Sequence, residues 1–148
     1  MLAPWRVTVG GGGLLFTTSQ SKAVSHLLKP DVRLGFSTRH LGLEVGAEVQ
    51  AVASDEPGYR LMGALATLGV PLVDGEIFEL DLTLAVGPGT DARILHYDLA
   101  SEDTLTVWAR LGLGLHWWLP GDRVALGLTV DVLNLTVIGL DAALTFRL

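Results

Sequence analysis

Residues 105–148 read LTVWARLGLGLHWWLPGDRVALGLTVDVLNLTVIGLDAALTFRL. Leu105, Val107, Ala109, Leu111, Leu113, Leu115 and Trp117 fall on every second position, as do Val124, Leu126, Leu128, Val130 and Val132, and then Ile138, Leu140, Ala142, Leu144, Phe146 and Leu148. The positions between them hold Arg110, His116, Asp131, Asp141 and Arg147, with Gly112, Gly114, Gly127 and Ala143. Successive side chains leave opposite faces of a pleated backbone, so a period of two over these lengths predicts three strands. Each has one face without charge, and that face needs an apolar environment to sit against.

The rest of the chain follows the same rule. A first strand is expected from Trp5 to about Thr17, with a bulge or sharp bend at Gly10-Gly11-Gly12-Gly13, where the alternation loses its phase. That glycine run is not followed by a helix start or a Lys-Ser/Thr pair, so a phosphate-cradling role has little support. Residues 19–29 read as a polar loop containing Ser25 and His26. Pro30 opens a second strand with Val32, Leu34 and Phe36 on one face. A tight turn at Thr38-Arg39 leads into a third, where Leu41, Leu43, Val45, Ala47, Val49 and Ala51 oppose Gly42, Glu44, Gly46, Glu48 and Gln50.

Residues 54–58, Ser-Asp-Glu-Pro-Gly, have turn composition. A fourth strand from Tyr59 to about Gly69 is weakly phased, with Tyr59, Leu61 and Leu65 assigned outward and Arg60 inward. Residues 70–75 turn again. The fifth strand sends Phe78, Leu80, Leu82, Leu84 and Val86 one way and Glu79, Asp81 and Thr83 the other. The longest loop is expected at 87–104. Eight strands of roughly 9–12 residues match a bilayer crossing at a tilt of about 45°. Short connections follow strands two, four and six, and longer ones follow one and five, an asymmetry typical of tight turns on one side of a membrane and loops on the other.

Composition narrows the class. With 148 residues the chain is long enough for one domain, and 49% of it is hydrophobic, yet no run approaches the 18 or so apolar residues of a membrane helix. Apolar residues dispersed by alternation are the pattern of a membrane barrel. The only lysines, Lys22 and Lys29, lie outside the clear strands, whereas soluble β-proteins place lysine on exposed faces and edges. A formal charge of −6 opposes a nucleic-acid partner, and the absence of cysteine removes disulfides, thiolate metal sites and cysteine nucleophiles. An exported barrel is made with a signal peptide, so the chain is expected to be a mature form to which an initiator Met has been added.

Alternation alone does not say which face points inward, and a soluble lipocalin-like barrel would enclose the apolar face around a ligand. Two features favour lipid outside. The polar face carries small residues (Gly35, Gly42, Gly46, Gly112, Gly114, Ala125, Gly127 and Ala143), which suit the narrow interior of an eight-stranded barrel. Its charges also nearly balance: Glu44, Glu48, Glu79, Asp81, Asp131 and Asp141 against Arg6, Arg33, Arg60, Arg110 and Arg147. A closed interior demands such pairing because an unpaired buried charge costs several kcal/mol. Folding the turns as read pairs Arg33 with Glu44, Arg60 with Glu48 and Arg110 with Asp131, and brings Asp81 within reach of Arg110.

The ending Leu140-x-Ala142-x-Leu144-x-Phe146-x-Leu148 resembles the C-terminal strand signal of bacterial outer-membrane proteins. The whole chain resembles, in pattern, the small eight-stranded outer-membrane barrels of the OmpA/OmpX type. The resemblance implies an all-β, eight-stranded antiparallel up-and-down transmembrane β-barrel forming a single domain over 1–148, located in the bacterial outer membrane. It further implies the lipid bilayer and, during insertion, the barrel-assembly machinery as partners. Members usually end in Phe, so Leu148 is a departure, while Phe146 fits the aromatic two positions earlier. Trp5, Trp117 and Trp118 are expected near the periplasmic rim as an aromatic girdle, with Trp118 alternatively filling the lumen mouth.

Candidate chemistry is sparse. His96-Tyr97-Asp98, in the long loop, is the densest reactive set, and a His beside a carboxylate can serve as a base. Some barrels of the resembled kind are lipid A-modifying hydrolases or acyltransferases, which need a serine near the histidine; here Ser101 shares that loop and Ser25 lies elsewhere. A solvated or partner-contacting loop is the simpler reading. Lone His116 reads as a hydrogen-bonded lumen filler. Glu79 and Asp81, on one face, are better explained by arginines than by a metal, and Asp91, Asp98, Glu102 and Asp103 lack calcium-loop spacing. No metal, cofactor or catalytic residue is therefore assigned. The leading expectation is a non-enzymatic barrel with a charge-plugged lumen and a structural or surface-interaction role through loop 87–104. A narrow channel for ions or small solutes is the second, and a lipid-modifying enzyme or a soluble lipocalin-like carrier follows.

Overall fold

The computed structural model describes residues 5–20, 23–53, 61–90, 105–135 and 137–148. Its strands are β1 (Trp5–Gln20), β2 (Ala23–His40), β3 (Leu43–Val52), β4 (Leu61–Asp74), β5 (Phe78–Thr90), β6 (Leu105–Trp118), β7 (Val124–Leu133) and β8 (Val137–Arg147). Each pairs antiparallel with its sequence neighbour, and β8 returns to β1, so the sheet closes into an eight-stranded up-and-down barrel. The last residue lies beside the start of β1: the Leu148 amide donates to the Trp5 carbonyl at 2.8 Å.

Orientation is decided by which face meets solvent. Leu113, Leu128 and Leu140 are 44%, 50% and 55% exposed, and Val9, Leu34, Val49, Leu84 and Leu126 project likewise from their strands. Among the described residues the outward positions of the strands carry no Asp, Glu, Lys or Arg. Buried side chains include Arg6, Arg33, Arg110, Glu79, Asp81, Asp131 and Asp141. This inverted distribution is the signature of a chain whose solvent is hydrocarbon. The shortest strands have 10 residues; tilted by about 45° they rise about 23 Å, close to the apolar band of membrane barrels.

Several local expectations are corrected. Residues 23–29 are strand rather than loop, since β1 and β2 stay paired to Gln20↔Ala23. The glycine run holds one register with both neighbours and contains no bulge. Its glycines serve close approach instead: a Cβ on Gly12 would strike the Leu140 carbonyl. The turn between β2 and β3 is Leu41-Gly42, with φ of 51° and 79°, not Thr38-Arg39. Positive φ at both positions matches the twist of the flanking strands. That shift places Arg33 opposite Gln50, and Arg39 opposite Glu44.

In β4 the phase is the reverse of the one assigned. Leu65 points inward and is buried, while Met62, Ala64, Ala66 and Leu68 face out. The strand also continues through Pro71 to Asp74 across an irregularity between Pro71 and Val73, a position where proline's missing N–H is tolerated. Five residues, 119–123, link β6 to β7, so Asp131 stands opposite Gly112 rather than Arg110. β5 runs on to Thr90, into the stretch assigned to the long loop. Arg60, Tyr59 and the set His96, Tyr97 and Asp98 lie outside the described residues.

The outward face generates a direct prediction. Leu113→Arg, at mid-strand in β6, should lower unfolding stability in lipid vesicles by about 2–4 kcal/mol. Urea titration followed by tryptophan fluorescence checks this, and an unchanged midpoint would place that face away from hydrocarbon.

Candidate functional site

The interior is layered. At the end carrying the termini, Arg6 reaches across to two strands: its Nη1 donates to Glu44 Oε2 and to Glu79 Oε2, both at 2.9 Å, and its Nη2 to Glu79 Oε1 at 3.2 Å. Ser37 Oγ donates to the other Glu44 oxygen at 2.7 Å. Arg39 Nη1 holds both oxygens of Asp74, at 2.9 and 3.0 Å. Arg39 and Arg147 also approach Glu79, at 3.6 and 3.7 Å. Trp118 lies in this layer and not on the rim. The guanidinium carbons of Arg6 and Arg147 sit 5.0 and 4.0 Å from the centre of its ring, an arrangement in which an electron-rich face offsets two adjacent positive charges. Trp5 and Trp117 do point outward, stacked respectively on Phe36 and Phe78 at centroid distances of 4.6 and 5.7 Å.

Above this mouth is a chamber of about 120 Å³, whose lining includes Thr8, Thr67, Thr83, Thr129, Glu44 and His116. Its volume suits a few waters. His116 Nε2 stands 3.6 Å from Asp81 Oδ2, so Asp81 faces His116 rather than reaching Arg110. The small residues Gly10, Gly35, Gly112 and Ala143 also line this space. Replacing them by larger residues would fill it.

The next layer is the densest in charge. Arg33 meets three carboxylates: Nε to Asp31 at 3.1 Å, Nη1 to Asp131 at 2.6 Å and Nη2 to Asp141 at 2.5 Å. Arg110 meets Glu48 at 2.5 Å, with Asp131 at 3.7 Å from its Nε. Gln50 links the two arginine systems, donating to Asp31 at 2.7 Å and accepting from Arg110 at 3.3 Å. The contacts of Arg33 with Asp131 and Asp141, and of Arg110 with Glu48, cross the barrel instead of following its ladders. The pairs Arg33–Glu44 and Arg110–Asp131 were expected as direct cross-strand neighbours; the first does not form and the second is a diagonal approach.

The final layer, towards the 53–60 and 91–104 connections, is apolar: Trp108, Leu14, Leu65, Leu133 and Val137 are almost wholly buried, with Val52 and Ala85 beside them. Sequence reasoning placed Arg39 in a turn and Gln50 on the polar face of the third strand, and included neither of them, nor Trp108 or Asp31, in the charge network. Parity could have found Trp108, which shares the inner face with Arg110, and likewise Asp31 beside Arg33. Among the described residues no group of His, Asp and Glu is placed to hold a metal ion.

Fold and layered interior define the class: an eight-stranded transmembrane β-barrel of the small outer-membrane type. Comparison with solved structures agrees. The barrel is similar to neisserial surface protein A, with a TM-score of 0.68 over 100% of this chain and 99% of that one, at 12% identity. It is similar to Ail, the attachment invasion locus protein of Yersinia pestis, with a TM-score of 0.63, 12% identity and 99% of each chain covered. Ail in a phospholipid bilayer nanodisc gives 0.57 at 14% identity, again over 99% of both chains. No family model matches the sequence, and no curated protein does. At these identities the likeness carries the fold and no residue's role.

The Arg33 layer makes the sharpest stability prediction. Arg33→Met removes the cation common to three buried carboxylates and should cost about 3–5 kcal/mol. Thr129→Val, on the chamber wall, should cost no more than about 1 kcal/mol. Equilibrium unfolding in detergent micelles would separate the two, and equal losses would show that Arg33 is not the centre of the network.

Proposed function

We propose that this protein is a non-enzymatic barrel of the bacterial outer membrane, structural or surface-interacting, with its loops as the contact surface and its lumen closed to solutes. One observation carries the reading. Arg6, Arg33 and Arg110 each meet two or more carboxylates, drawn from β2, β3, β5, β7 and β8, so polar side chains bridge the lumen, which supports a structural role over an open pore. The network of Arg33, Glu44, Glu48, Glu79, Asp81, Arg110, Asp131, Asp141 and Arg147 has a structural role, fixing strand register from inside. Trp5 and Trp117 form part of an aromatic belt at the terminus-side interface. The connection 91–104, with His96, Tyr97 and Asp98, carries any surface partner, in keeping with the tendency of function to sit on loops over a rigid scaffold. The lipid bilayer is the permanent partner, and the barrel-assembly machinery acts during insertion.

The narrow-channel reading differs in one measurable respect. Refolded protein should migrate differently on SDS gels before and after boiling, and should give no steady single-channel current in planar bilayers. A reproducible conductance from the wild-type chain would transfer the assignment to the channel.

A further inference from the structure

The ion-pair layers do not reach the loop-side end of the lumen. Among the described residues, the buried cluster at that end is apolar. Trp108, Leu14, Leu65, Leu133 and Val137 are between 0% and 2% exposed and lie beyond Arg33 and Arg110. The Trp108 indole lies against the backbones of Gly63 and Gly89, which face each other across the β4–β5 ladder. A Cβ on either glycine would run into the ring, so the pair forms a recess shaped for a flat aromatic. Among the described residues the indole N–H has no hydrogen-bond partner. These buried apolar side chains offer little to a hydrated ion.

The opposite end is different in kind. The side chains of Glu44 and Arg147 are 24% and 27% exposed, and the chamber behind them is polar. Among the described residues the lumen is thus lined by polar side chains towards the terminus side and by a cluster of apolar ones towards the loop side. Its charge is also unequal. Setting aside the exposed Asp74, the described interior holds seven carboxylates (Asp31, Glu44, Glu48, Glu79, Asp81, Asp131 and Asp141) against five arginines (Arg6, Arg33, Arg39, Arg110 and Arg147) and Lys29, which shares the inner face of β2 with Asp31 and Arg33.

We infer that the Trp108 layer is the seal of a latent cation pathway, and that the ion-pair layers beneath it do not by themselves hold the lumen shut. An apolar constriction excludes ions because water leaves it. Ion pairs wetted from both sides are worth only about 0–1 kcal/mol and rearrange readily. Once the indole is gone, water meets the Arg33 and Arg110 layer from the loop side as well, and the excess of carboxylates selects for small cations.

This inference rests on the closed lumen proposed above, and the experiment separates the two. The full chain is refolded and recorded in planar phospholipid bilayers under a potassium chloride gradient, as wild type, Trp108→Ala, Trp108→Phe and Arg110→Ala. Trp108→Ala should conduct, with a reversal potential showing potassium preferred over chloride. Wild type, Trp108→Phe and Arg110→Ala should stay silent. Should Trp108→Ala not yield the heat-modifiable species, Leu133→Ala thins the same layer and should conduct in the same sense. A silent seal variant that is correctly folded overturns the inference, as does conduction by Arg110→Ala with Trp108 in place. Conduction by the wild type overturns instead the closed lumen itself.

Discussion

A polypeptide crossing hydrocarbon has no water to satisfy its amides, so every N–H and C=O must find a partner within the chain. In this protein the requirement is met by closure: eight antiparallel ladders, the last joining β8 to β1 without a break from Arg6↔Arg147 to Phe16↔Val137. The other features follow from it. A closed sheet has only two faces, and with lipid on one of them all charge is forced into a lumen that is narrow at eight strands. Glycine and alanine occupy much of that inner face because arginines elsewhere must cross it.

The charges inside do more to specify than to stabilise. Removing two opposite charges from water costs nearly what their attraction returns, so a buried pair is weak evidence for stability. Its geometry is nonetheless demanding. Arg33 on β2 engages Asp131 on β7 and Asp141 on β8, and Arg110 on β6 engages Glu48 on β3. A slip of one residue in any of these strands would turn its charge into lipid. The diagonal network therefore pins the register of strands that have few large side chains to interlock inside.

Much of this architecture was legible because a period of two is a direct imprint of the pleat. It was plainest where the inner face is charged or glycine-rich and the outer face is branched aliphatic, as in β3, β5 and β8. It failed in β4, whose inner positions Gly63, Leu65, Thr67 and Gly69 include no charge, so apolar residues on both faces leave the phase undetermined. Turns were the next weakness. Nothing in the composition of Leu41-Gly42 announces that a leucine will adopt φ of 51°, and displacing that turn by a few residues changes every cross-strand partner. The ion pairs were least accessible, since Arg33 and Asp131 are 98 residues apart and meet only because the sheet closes. Reading hairpins one at a time finds neighbours along a ladder and misses contacts across a cylinder.

Closure has a consequence for the order in which this molecule can assemble. The seam between the first and last strands sets Arg6 directly beside Arg147, and like charges opposite each other repel. They are reconciled by Trp118, contributed by β6, by Glu79, contributed by β5, and by Glu44, contributed by β3. The two ends of the chain thus have no reason to zip together early. The middle of the polypeptide must already be in position, with its ring and carboxylates presented, before the edges become mutually attractive. The seam is a latch that engages last, and a half-built cylinder is kept open by its own electrostatics until the remaining wall is there to receive it.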